Sequence, residues 1–183
     1  MQIPTFTAAV LIGAALALAA GSAAADEADG CAHFSWDVSH ELGVMKQSPQ
    51  ALAAAVKSDD NTAQMQTGRL YEVKLAPQGT VAFALAPGKP TRDESAHGGL
   101  VHFRVAAAGV YRISLSSGHW VDVVADGKFI KSRDFQGAHG CERPHKIVEF
   151  ELPAGQPLTL QFSGAGAPAV LVAITAVDAP PAR

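Results

Sequence analysis

The reactive side chains concentrate in one stretch, Phe135-Gln-Gly-Ala-His-Gly-Cys-Glu-Arg-Pro-His145. It holds His139, Cys141, Glu142, Arg143 and His145, with His119-Trp120 a little upstream. Imidazole, thiolate and carboxylate are all metal ligands, and a His-x-Cys-x3-His spacing can bring two or three of them to one divalent ion. No CxxC pair and no HExxH motif accompanies them. The competing reading is a solvated loop in which Glu142 and Arg143 are surface charges and Cys141 is oxidised.

The redox state of Cys141 turns on the start of the chain. An apolar run from Ala8 to Ala20 leads to Ala23-Ala24-Ala25 and then Asp26-Glu27, the pattern of a secretory signal peptide cleaved after Ala25. The run is shorter than the roughly 20 residues of a membrane span, and nothing after residue 25 approaches that length. A periplasmic or secreted chain with two cysteines, Cys31 and Cys141, is expected to join them in a disulfide. That bond carries His33, Phe34 and Trp36 toward the 135–145 stretch. The expected site therefore combines His33, Trp36, His119, His139, Glu142 and His145, with Asp37 nearby. Oxidation removes the thiolate, so a metal here would rest on imidazoles and carboxylates. Phe34 and Trp36 also read as apolar anchors for the N-terminal segment.

Other chemistry has less support. Ser114, Ser116, Ser117 and His119 lie together, but there is no GxSxG elbow. Glu149 and Glu151 fall on the outward side of a predicted strand, the usual place of solvated charge. Gly137 and Gly140 lack the strand-to-helix context of a phosphate loop.

The elements that must position these residues are mostly strands. Apolar residues recur at every second position in Tyr111/Ile113/Leu115, Val121/Val123, Val148/Phe150/Leu152 and Leu158/Leu160/Phe162. LVHFRV places Val101, Phe103 and Val105 inward, and AVLVAITAV adds a last strand. RLYEVKL and TVAFAL read as a hairpin across Pro77-Gln78-Gly79. Asp126-Gly127 predicts a type I′ turn before KFI. The segment from Ala86 to Gly99 reads as an exposed loop, and SRDFQGAHGCERP as a second loop interrupting the sheet. Upstream, Val38, Leu42 and Met45 have helical spacing with Asp37 or Ser39 as cap, and Ser48-Pro49 followed by ALAAAVK predicts a second short helix. About nine strands at close spacing make the fold class mainly β, an antiparallel, jelly-roll-like β-sandwich with one or two short N-terminal helices.

The domain reading is a signal peptide at 1–25, a helical segment at 26–66 packed on the sandwich, the sandwich at 67–177 and an unstructured tail at 178–183. One domain suits this length. The formal charge of −3, from 14 basic and 17 acidic residues, argues against a nucleic-acid surface.

The run GVYRISLSSGHWVDVVADGKFI, followed by IVEFELPAGQPLTLQFSG and VLVAIT, resembles pre-peptidase C-terminal and carbohydrate-binding-module-like jelly-roll domains over residues 98–176. The shared features are a G-x-Y strand, a strand ending in a D-G turn, and an L-x-A-G-x-x-L-x-L pair. The resemblance implies an exported accessory or binding sandwich. The helical N-terminal segment and the Cys/His loop depart from it, so no ligand residues carry over. The functional expectation is a non-catalytic module for an unidentified periplasmic ligand or protein. Its alternatives are a metal-binding protein or small metalloenzyme, and a structural envelope protein.

Overall fold

In the computed structural model the structure describes residues 30–59 and 62–177. The signal-peptide and tail readings lie outside them. Two sheets pack face to face as a β-sandwich around a core that includes Phe103, Ile113, Leu115, Val123, Phe150, Leu160, Phe162 and Val172. The strands are β1 (Gln50–Ala53), β2 (Gln64–Met65), β3 (Leu70–Lys74), β4 (Ala76–Pro77), β5 (His97–Phe103) and β6 (Gly109–Leu115). There follow β7 (Trp120–Ala125), β8 (Lys128–Ile130), β9 (Ser132–Gly137), β10 (Lys146–Leu152), β11 (Leu158–Ala165) and β12 (Ala169–Ala176). The first sheet runs β1-β3-β12-β6-β10-β9 and the second β2-β5-β11-β7-β8, with β4 also on β5.

The inward set predicted from period 2 is the observed core, and the Asp126-Gly127 turn joins β7 to β8 with both residues at positive φ, 49° and 68°. That conformation admits glycine freely and aspartate tolerably, as the turn type requires. The sheets are mixed rather than purely antiparallel. β1 runs parallel to β3 and β2 parallel to β5, both at the margin where the N-terminal segment enters.

Three local expectations are corrected. Gln50–Ala53 is an edge strand and not a helix: a stretch this short is a marginal helix whatever its alanine content, and the β3 ladder supplies its backbone partners. TVAFAL does not form a hairpin with β3, because β1 and β12 already occupy both edges of β3. Its Thr80 ends a 3-10 turn, Gln78–Thr80, and the rest is irregular, with one bridge from Ala82 to Lys57. Ser132–Gly137 is not loop but the edge strand β9, laddered on β10.

The helix α1 (Ser39–Met45) forms where the Val38/Leu42/Met45 spacing places it, and Asp37 Oδ1 accepts the Ser39 amide at 2.9 Å. It lies over the outer face of the first sheet, contacting β12. Val44 and Met45 pack on Leu70 and Ala173, while Phe34 and Val38 pack on Ile147. The middle of the first sheet is thus covered on its outer face too, which overturns the expectation of a solvated Glu149, while Glu151 is exposed as expected.

Candidate functional site

At the N-terminal strap, Cys31 and Cys141 are disulfide-bonded with their Cα atoms 4.7 Å apart. Each cysteine follows a glycine, and the two glycines make the crossing possible. A Cβ on Gly30 would stand 2.3 Å from the Gly140 carbonyl carbon, and Gly140 has φ +80°. The bond also anchors a small apolar cluster of Phe34, Val38, Ala138, Cys141 and Ile147.

Most of the expected site residues lie close in sequence to the two bonded cysteines. His33, His139, Glu142 and His145 are exposed. Glu142 and His145 line one shallow depression with Ser116, Arg143 and Leu171. Among the described residues no three His, Cys, Asp or Glu side chains are placed to hold a metal ion together. Trp36 is half-buried and lies against the Arg112 guanidinium, 4.6 Å from ring centre to Cζ. Arg112 Nη1 also donates to the Asp37 carbonyl at 2.8 Å, which ties the strap to β6.

His119 is not a loop ligand but a fully buried side chain. Ser117 Oγ lies 2.6 Å from its Nδ1, while Nε2 meets no partner in hydrogen-bond geometry. Burial lowers its pKa to about 4, the nearby Lys146 ammonium adds to this, and the Ala167 carbonyl opposes it. The ring is neutral in the fold and takes up a proton in the unfolded chain below its ordinary pKa of 6.5. Stability attributable to His119 is therefore complete above pH 6.5 and declines as pH falls toward 4, by about 2 kcal/mol after allowance for solvent screening. Urea unfolding of the wild type and His119→Gln from pH 7 to 4.5 measures this: the variant's limb is expected to be flatter, and parallel limbs would refute the assignment.

A second region was not legible as a site. Partners in an antiparallel ladder share a face, so Phe135, opposite Val148, points to the same side as Val148 and Phe150. Lys146 lies on that core-facing side too, two residues before Val148, at the end of β10. Here β9 and β10 form the edge of the first sheet, and a cleft of about 460 Å³ opens between them, the β7 end and the 89–91 loop. Trp120 and Phe135 are exposed on its walls, at 37% and 69%. Trp120 Nε1 donates to Asp122 Oδ1 at 2.8 Å, and Asp122 Oδ2 accepts the Gly88 amide at 2.9 Å, which pins both the indole and the loop. Lys89 Nζ stands 5.9 Å from the indole centroid. Lys146 is half-buried, and desolvation, then the like charge of Lys89, lowers its pKa to about 8. Neither lysine has a carboxylate within ion-pair distance among the described residues.

The sequence carried signals for this cleft. Lys146 stands in phase with Val148 and Phe150, Trp120 stands out of phase with Val121 and Val123, and Phe135 is isolated in a polar run. Compared with known proteins, the chain matches no protein-family model and no curated protein.

Proposed function

We propose that this chain is an exported, non-catalytic β-sandwich module that binds its ligand in the cleft at the β9–β10 edge. The observation that carries the reading is the pair of exposed aromatics, Trp120 and Phe135, on the walls of a concavity of ligand size. An exposed indole already pinned, as Trp120 is by Asp122, costs little conformational entropy on binding. The signal-peptide pattern, the disulfide and the resemblance of residues 98–176 to exported binding sandwiches point the same way. On this reading the ligand sits in the cleft and not at the exposed histidines near Cys141.

A thermal-shift screen of the mature protein against a fragment set of acids, amines, sugars and neutral aromatics tests it. Compounds present at about 100 times their dissociation constant should stabilise the wild type by about 2.7 kcal/mol, a shift of several degrees. They should not shift Trp120→Ala/Phe135→Ala, whose fold is checked by its far-UV circular dichroism and cooperative melting. Equal shifts in the double variant, or none in the wild type, would leave a structural envelope role as the better reading.

A further inference from the structure

We infer that the ligand of this cleft is a small carboxylate carried on a flat, apolar ring, with the carboxylate between Lys89 and Lys146 and the ring against Trp120 and Phe135. The inference rests on the cleft being the binding site and deepens that reading.

The protein as a whole is acidic, with a formal charge of −3, yet this cleft presents two ammonium groups and no paired carboxylate among the described residues. Lys146 occupies a core-facing strand position that its neighbours Val148 and Phe150 fill with apolar side chains. A lysine there is held away from water beside a second positive charge, an arrangement that weakens the fold unless an anion compensates it. Lys89 is exposed on its loop and rests only loosely over the indole, so it can turn toward an anion without disrupting packing. The apolar demand comes from the walls: Phe135 is largely exposed at the cleft, and Val121 and Val148 line it too. A carboxylate on a ring of one or two fused cycles satisfies both demands within about 460 Å³.

The probes are 2-naphthoate and 2-naphthalenemethanol, which share a ring and differ in charge, titrated calorimetrically at pH 7. The acid is expected to bind about tenfold more tightly than the alcohol, the contribution of a charge-assisted contact to a half-buried ammonium. Lys146→Met should abolish most of that preference and at the same time raise the melting temperature, because it removes a desolvated charge. A residue with a purely structural role would not show that opposition. If the alcohol binds as well as the acid and both are lost in Trp120→Ala/Phe135→Ala, the carboxylate assignment is overturned while the cleft stands as a ligand site. If both probes bind the double variant undiminished, the assignment and the reading beneath it fall together. A wild type that binds neither probe also overturns the assignment.

Discussion

Arg112→Ala is expected to destabilise the protein by about 3 to 5 kcal/mol, more than the replacement of any surface charge. Arg112 sits on the outer face of β6 beneath the N-terminal segment, with its side chain 10% exposed and that of Glu41 only 2% exposed. Its Nη1 lies 3.4 Å from Glu41 Oε2 and its Nε 3.3 Å from Glu149 Oε2. The other Glu41 oxygen accepts from Thr175 Oγ1 at 2.9 Å. Alanine would leave the Glu41 carboxylate under α1 without its guanidinium, and would remove the contact that holds Trp36 and the Asp37 carbonyl to the sheet. The large cost is that of an uncompensated buried charge and does not measure the net worth of the pair. Arg112→Met combined with Glu41→Leu should therefore recover most of the loss. Arg133 supplies the contrast: its Nε is 3.9 Å from Glu149 and its side chain is 47% exposed, so Arg133→Ala should cost less than about 1 kcal/mol. Urea unfolding midpoints of the four proteins decide the matter. Equal small effects for Arg112→Ala and Arg133→Ala would mean that α1 does not seal the outer face.

The second large effect is expected from the strap. Replacing Cys31 and Cys141 by serine should lower stability by about 4 kcal/mol, given a closed loop of 110 residues. For a domain of this size that corresponds to roughly 10 °C in melting temperature. The loss has two sources. Loop-closure entropy returns to the unfolded chain, and the apolar cluster of Phe34, Val38, Ala138 and Ile147 loses the sulfur atoms packed with it. Calorimetry of the oxidised wild type and the double serine variant measures the whole. Proteolysis tests the location, since cleavage after reduction should begin N-terminal to α1 while the sandwich persists. A melting temperature within 2 °C of the wild type would show that packing alone holds the segment; at the few degrees per kcal/mol expected here, such a shift is too small for the bond.

Period-2 alternation, the Asp-Gly turn and the Cys31–Cys141 pairing were readable because each depends on local chain geometry or on a simple count. A strand's two faces are written in adjacent residues, a type I′ turn selects its own residues, and two cysteines in an oxidising compartment have one intramolecular way to pair. What alternation does not say is what covers the second face. Arg112, Ser114, Ile147, Glu149 and Thr175 share the outward phase of β6, β10 and β12, and an outward polar residue is ordinarily wet. They are dry or nearly so because the N-terminal segment folds back over them. Ile147, apolar in the outward phase, was the trace of that cover.

The candidate site shows the same division. From the order of residues alone, the chain is a β-sandwich with an N-terminal segment cross-linked to it, since burial periodicity and cysteine chemistry act over a few residues or by type. Only the tertiary structure decided which edges β3 kept, and so that ALAAAVK became strand and TVAFAL did not. It also sealed His119 in the interior, left His33, His139, Glu142 and His145 exposed, and brought Lys89, Trp120, Phe135 and Lys146 to one cleft. Those residues come from four separate elements, a loop and three strands. They meet because the start of β7 and the 89–91 loop come up against the β9–β10 edge, a matter of strand order and register that no local pattern encodes.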